Sequence, residues 1–262
     1  MNFIRRNPFV LFMAALIIIT LYGLYLVVVG EVSVWWIVLG VVWAKISQLF
    51  GHNIGIHRFY THRSFKTTKP WEYVIAFFSV FCGISPPIHY VYLHRLHHKY
   101  SDTELDPHNP RDGALRAILG LWIIQWEDNP GHKVPIKDCF RDPICHNATR
   151  YYYHLWAALL AVAFLINWKI AVFVFCFGAV FNYFDVNLFL VYLGHTWKDW
   201  GYQNFEETKD TYNNQWAQIW TMGDGLHNNH HKHPGRYNKA IKPNEFDFTA
   251  WTIEKFIMIK EK

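Results

Sequence analysis

The sequence predicts an all-α membrane protein, with four transmembrane helices and a cytoplasmic helical cap that carries a histidine-rich site. Three observations lead there. Long uncharged apolar runs alternate with polar stretches. Lysines and arginines gather at one end of those runs, and the densest histidine groups fall on that same side. Hydrophobic residues make up 52% of the 262 positions and charged residues only 17%, a greasier balance than a soluble domain has. The 13 tryptophans and 15 tyrosines suit rings that collect at membrane–water interfaces.

The first run, "PFVLFMAALIIITLYGLYLVVVG", extends from Pro8 to Gly30. It is long enough to cross a bilayer as a helix, which takes ~20 residues. Its apolar core is too long for a signal peptide, and no small-residue cleavage site follows it. A short link, "GEVSV", leads into "WWIVLGVVWAKISQLF", so the two runs form a helical hairpin. Arg5 and Arg6 precede the hairpin and Arg58, Arg63, Lys66 and Lys69 follow it, while the link carries only Glu31. Positive charge favours the cytoplasmic side, which places both hairpin ends there. "WEYVIAFFSVFCGIS" is apolar but short, and it stops at Pro86 and Pro87. If it crossed, it would separate the histidines on either side of it, so it is expected to lie in or along the cytoplasmic face. A second hairpin follows: "YYYHLWAALLAVAFLI", a turn at Asn167–Lys169, and "IAVFVFCFGAVFNYFDVNLFLVYLG". The expectation is one domain over 1–262, with spans near 9–29, 34–50, 151–166 and 169–193. Residues 51–150 and 194–262, both termini and the histidines are then cytoplasmic.

The net charge of +5 suits a surface facing anionic headgroups or an acidic protein partner. It is too diffuse for nucleic acid, and no nucleic-acid-binding motif is present. Cys82, Cys139, Cys145 and Cys176 are scattered without a C-x-x-C; they read as buried inert thiols rather than a disulfide framework or a thiolate metal site.

Sixteen histidines are many for this length, and they cluster. "HRFYTH" holds His57 and His62, "HRLHH" holds His94, His97 and His98, and "HNNHH" holds His227, His230 and His231. On a helix, positions i, i+3 and i+4 share a face, so each H-x-x-H-H is expected to aim three imidazoles at one point. Imidazole suits iron, zinc, copper and nickel, and a nitrogen-only site excludes magnesium and calcium. Eight ligands exceed what one ordinary site needs, so two nearby metals are expected. His132, His146 and His154 lack partner spacing and read as structural, as does His52, which falls in the last turns of the second span. Metal-bound imidazoles usually donate their other N–H to a carboxylate or carbonyl. Asp102, Glu104 and Asp106 after one group and Asp224 before the other are placed to accept, and His89 and His108 are weaker candidates to support the ligands.

"HRFYTHRSF", "HRLHHKYSDTELDPHNP" and "GDGLHNNHHKHP" resemble the three histidine boxes of membrane fatty-acid desaturases, and most closely the stearoyl-CoA (Δ9) branch. The resemblance covers roughly residues 35–238 in order and spacing. It implies a non-haem di-iron centre held by nine histidines. Eight are the box residues above, and the ninth is His195 in "GHTWKDWGYQNFE". It also implies O2 as co-substrate, removal of two hydrogens from adjacent carbons of an acyl chain, and an external electron donor such as ferredoxin, rubredoxin or cytochrome b5. Asn109 and Asn228, in the box-flanking words, join Asp102, Asp106, His108 and Asp224 as candidates to hydrogen-bond the ligands. No haem, flavin, nicotinamide or iron–sulfur motif is present to supply electrons internally; "HPGR" at His233–Arg236 lacks the second glycine of the cytochrome b5 haem motif.

Three departures stand out. The acyl-CoA branch has an asparagine four residues before the His195 equivalent that steadies a metal-bound water, and this chain has Val191 there. Asn187, eight residues before His195, is expected to lie too far along the helix to take its place. Asp224 stands where the family usually has glutamate, so its carboxylate must re-aim. Tyr92, and "QWEDNP" at 125–130, replace basic residues that pair with CoA phosphates, which favours a glycerolipid or carrier-bound chain over a CoA thioester. A di-iron membrane hydroxylase of a lipid, alkane or carotenoid is the alternative enzyme, and a non-catalytic metal-binding membrane protein the alternative of another class. Lacking the long amino-terminal extension of animal enzymes and any organelle address, the chain is expected in a bacterial-type cytoplasmic membrane, or in the endoplasmic reticulum if eukaryotic.

Overall fold

The computed structural model describes residues 8–259 apart from 102, 108, 124–133 and 209. Arg5, Arg6, Asp102, His108, His132 and the 125–130 segment therefore lie outside the described residues. Among the described residues the chain is mostly helical, and extended segments meet only in isolated bridges.

Three helical stretches are long and apolar enough to cross a membrane: α1, Pro8–Val28; α2, Trp35–Thr61; and Tyr152–Thr196. The third has 45 residues. Unbroken, it would be ~68 Å long at 1.5 Å per residue, more than twice the ~30 Å hydrocarbon core. Asn167 breaks it with extended dihedrals (φ −164°, ψ 117°), and its side chain accepts the Lys169 N–H at 3.0 Å. That is an N-cap, the local chemistry that starts a new helix. The stretch is thus two helices that meet at Asn167, α8 (152–166) and α9 (168–196). Large apolar side chains on these helices point outward, including Ile18 at 68% and Leu165 at 85% exposure. In water such a face would be costly; against lipid tails it is the expected arrangement.

Between the long helices lie α3 (Lys69–Phe81), α4 (Pro87–Tyr100), α5 (Ala114–Ile123), α6 (Lys137–Arg141) and α7 (Pro143–Arg150). After them come α10 (Gln215–Trp220), α11 (His227–Lys232) and α12 (248–257). Proline at the first turn opens α3, α4 and α7, where its missing N–H is no loss. The Asp142 carboxylate caps α7 by accepting the Ile144 and Cys145 N–H groups. The core gathers where α1 meets α3, α8 and α9. Phe9 packs on Tyr183, and Phe12 on Trp156, whose indole N–H donates to the Val80 carbonyl at 3.0 Å. All four cysteines are buried thiols.

α2 changes winding partway. It is α-helical to Ser47 and π-helical over Gln48–Thr61. Beside it, α3 approaches until a Cβ on Gly51 would stand 2.2 Å from the Phe78 carbonyl oxygen. Backbone cannot yield as a side-chain tip can. Gly51→Ala should therefore destabilise the fold by about 1–3 kcal/mol, the usual cost of overpacking. A thermal melt in detergent matching that of the parent would contradict this packing.

Candidate metal centre

The site begins with the wide winding of α2. Five residues of α-helix turn through about 500°, which leaves positions i and i+5 about 140° apart. His57 and His62 would then face different ways. In the π-helical segment each hydrogen-bonded turn spans five residues, and the His62 N–H donates to the His57 carbonyl at 3.1 Å. The two rings come to lie 5.1 Å apart. π-Helical turns are rare and recur at functional sites, and here the winding reconciles a five-residue histidine spacing with one inward face.

α4 supplies His94, His97 and His98, α11 supplies His227, His230 and His231, and the end of α9 supplies His195. A Cβ on Gly194 would stand 2.8 Å from the His227 ring, so glycine before His195 lets α11 close against α9. The histidines form two groups. His57, His62, His94, His98 and His230 make one, and His97, His195, His227 and His231 the other; within each, the ligand nitrogens lie within 4.8 Å of one another. The expectation that each H-x-x-H-H aims at one point is corrected. His94 and His98, at i and i+4, share the first group while His97 at i+3 turns to the second. In α11, His227 and His231 share the second while His230 crosses to the first. Positions four apart stack along the helix, whereas the i+3 ring leans to the other side of that line, so each helix straddles both groups.

The distances fit metal ligation. In the first group, His230 Nε2 lies 3.0 Å from both His57 Nε2 and His98 Nε2, and His98 Nε2 lies 3.1 Å from His94 Nε2. In the second, His227 Nε2 is 2.8 Å from His195 Nε2 and 3.0 Å from His231 Nε2, and His97 Nε2 is 3.3 Å from His231 Nε2. Two nitrogens each ~2.0–2.1 Å from one ion stand about 2.9 Å apart at a right angle and about 3.4 Å at the tetrahedral angle. Buried His62 Nε2 has no hydrogen-bond partner, a cost that ligation removes. Burial, reinforced by the neighbouring imidazoles, holds His94, His98, His227 and His231 well below the usual imidazole range. The rings are thus neutral, the form that ligates metal.

Carboxylates back the rings. Both Asp106 oxygens lie 2.9 Å from His97 Nδ1. Asp224 Oδ2 lies 3.4 Å from His57 Nδ1 and 3.3 Å from His52 Nδ1, while Oδ1 takes Lys239 Nζ at 2.5 Å and Arg58 at 3.3 Å. Burial alone would push the Asp224 carboxyl up, but Lys239 and His57 outweigh it and hold the group well below the carboxylate range. The Asp224 carboxylate thus faces His57 and His52 together. His52 Nε2 meets the Tyr90 hydroxyl at 2.9 Å and belongs to neither group. Asn109 caps a turn, accepting the Arg111 N–H, and Asn228 pins the 204–211 loop through Phe205, Thr208 and Thr211; these two hold backbone.

Sequence reading missed Lys239 and Arg58 as members of the site. Arg58 also pairs with Asp247 at 3.0 Å and donates to the Gly223 and Tyr237 carbonyls. No spacing rule marks either residue; each is the next charged partner of an acid that a histidine has buried. Asn187 stands eight residues before His195, four before Val191. It lines a cavity of about 10 Å³ with His94, His97, His227, Val186 and Val191.

Asp106→Asn keeps the shape but replaces a charged acceptor with a neutral amide. Metal affinity of the four-histidine group should fall about 10–100-fold, read by competition with a chromophoric chelator. Unchanged affinity would separate Asp106 from the ligands.

The fatty acid desaturase family model matches residues 33–239. The sn-1 stearoyl-lipid 9-desaturase of Anabaena variabilis is 30% identical over 213 residues, covering 80% of this chain and 76% of the relative. The sn-2 palmitoyl-lipid 9-desaturase of Nostoc sp. (strain 36) is 31% identical over 234 residues, covering 84% and 78%. The acyl-CoA Delta(11) desaturase of Trichoplusia ni is 30% identical over 255 residues, covering 88% and 70%. Two facing groups of buried imidazoles, on a helical chain with membrane-crossing stretches, thus sit in a sequence that matches these enzymes over most of its length, and the chain belongs to the fatty acid desaturase family of oxidoreductases.

Proposed function

We infer that this chain is an O2-dependent fatty acyl desaturase that introduces a cis double bond at the Δ9 position of a saturated chain. The observation that carries the reading is the pair of histidine groups, five and four imidazoles with facing Nε2 atoms. Two iron ions bound there would supply O2 activation and removal of two hydrogens from adjacent methylenes. His57, His62, His94, His98 and His230 would hold one ion, and His97, His195, His227 and His231 the other. Electrons come from an external donor of the ferredoxin, rubredoxin or cytochrome b5 kind.

The chain's own residues shape and position the site. Ile84, Val186, Leu190 and Val191 give the small cavity beside His94, His97 and His227 a partly apolar wall. Asn187 places one polar group on that wall, its Nδ2 tied to the Tyr183 carbonyl at 2.7 Å. Asp106 fixes the tilt of His97, and the Asp224 carboxylate faces His57. A glycerolipid is the favoured acyl carrier, because two relatives are named for lipid-bound chains and Tyr92 stands where the acyl-CoA branch has arginine. For the topology, the break at Asn167 supports four spans, with α8 and α9 as a hairpin. The arginines and lysines after α2 support a cytoplasmic site in a single domain, with both termini inside.

The test is a fatty-acid profile by gas chromatography–mass spectrometry, from a bacterium without aerobic desaturation that expresses the chain with a ferredoxin system. A new cis-Δ9 monoene that depends on O2 is expected. A hydroxylated lipid in its place would contradict the reading.

A further inference from the structure

Three short amphipathic elements surround α2 at one level. α3 packs on Gly51 and Gly55 through Phe78 and Ser79. α10 is held by Lys45, whose ammonium reaches the Trp220 carbonyl at 3.1 Å, and by Asn53, which donates to the Thr221 carbonyl at 2.6 Å. α12 meets the same Asn53 through Thr249 at 3.3 Å. The contacts on α2 therefore run from 45 to 55, where it passes from its apolar α-helical part into its histidine-bearing part.

Each element buries one face in the protein and turns large apolar side chains outward. On α10, Trp216 and Ile219, at i and i+3, are 78% and 72% exposed, while Ala217 and Gln218 are buried. On α12, Phe256 is 59% exposed and stands 5.7 Å from the Trp251 ring, while Ile253 and Ile257 are buried. On α3, Tyr73 and Phe77, at i and i+4, are 64% and 47% exposed. Monomeric soluble proteins rarely expose so much contiguous apolar surface. This surface also continues into the face of the long helices: Trp220 of α10 lines a groove with Ile17 and Leu21 of α1 and Phe181 and Leu188 of α9.

We propose that α3, α10 and α12 form a collar that beds into the headgroup–acyl boundary of a phospholipid leaflet, and so fixes the depth of the histidine site below it. The occupant is lipid because the collar is continuous with the outward apolar face of α1 and α9, and because tryptophan, tyrosine and phenylalanine rings are what that boundary favours. The inference does not depend on the proposed reaction, and its test reads no turnover.

The four native cysteines are buried, so one introduced surface cysteine can carry a nitroxide selectively. Labels replace Trp216, Ile219 and Phe256 one at a time, with Glu104, exposed on the loop after α4, as the control. The full chain is reconstituted in phosphatidylcholine–phosphatidylglycerol vesicles. Collision with dissolved O2 and with a water-soluble nickel chelate is read by power-saturation spin resonance. The collar labels should show high O2 and low nickel accessibility, at depths of about 5–10 Å below the phosphates, while Glu104 shows the reverse. Collar labels as open to nickel as Glu104 would overturn the proposal. Labels shielded from both reagents would also overturn it, since that is the signature of a protein partner or a second copy. Trp216 and Ile219 share a face, so either label tests α10 if the other prevents folding.

Discussion

His98→Ala is expected to release one of two bound ions and to abolish desaturation while leaving the chain folded. His98 Nε2 lies 3.1 Å from His94 Nε2 and 3.0 Å from His230 Nε2, so it joins ligands from two helices. Its ring also stacks on His231 of the other group at 4.6 Å. Losing only a residue that orients a ligand costs about 10–100-fold in affinity or activity, and losing the ligand itself should cost more. The vacated space would admit water beside the remaining nitrogens. Elemental analysis and the fatty-acid profile, read on the same membranes, check this. A variant that keeps both ions and its monoene would remove His98 from the ligand set.

Lys239→Met carries the second large effect, on stability. Lys239 and Asp224 are each about 2% exposed and only 2.5 Å apart. Burial pulls the ammonium down to about 8, with Asp224 opposing, so it remains charged at neutral pH. Removing one partner of a buried pair leaves the other uncompensated, which costs about 3–5 kcal/mol. Arg58 still touches Asp224, which places the expectation toward the lower end of that range. A marked drop in melting temperature should follow. Lys239→Met combined with Asp224→Asn should regain much of the stability, because no bare charge remains. The five-histidine group should still bind its ion more weakly, since His57 then faces a neutral acceptor. A single variant as stable as the parent would show that this pair does not brace the site.

Much of the site was legible because histidine spacing is a strong local signal. H-x-x-H-H puts three rings on one helical side, and the family resemblance added His195 from a stretch with no such pattern. How the rings divide between the groups was not legible, since the offset between i+3 and i+4 matters only once a second helix stands opposite. The winding of α2 was hidden as well: nothing in "QLFGHNIGIHRFYT" announces π-helical turns, and only the contact of Gly51 and Gly55 with α3 shows why the segment packs as it does. Asp106 and Asp224 could be guessed from sequence proximity to the boxes, whereas Lys239 and Arg58 follow from burial, which sequence does not display. The helical membrane class was readable from apolar length alone. The break at Asn167 was readable too, because a polar residue that caps helices stood between two apolar runs.

The most direct test of the two-group centre is an iron count. The chain is purified anaerobically in a membrane mimetic, reconstituted with ferrous iron, freed of excess, and assayed for iron and protein together. Two irons per chain, falling to one in His98→Ala and to one in His227→Ala, is the predicted result. One iron per parent chain, or both irons retained in either variant, would contradict the assignment of the nine histidines to two metals.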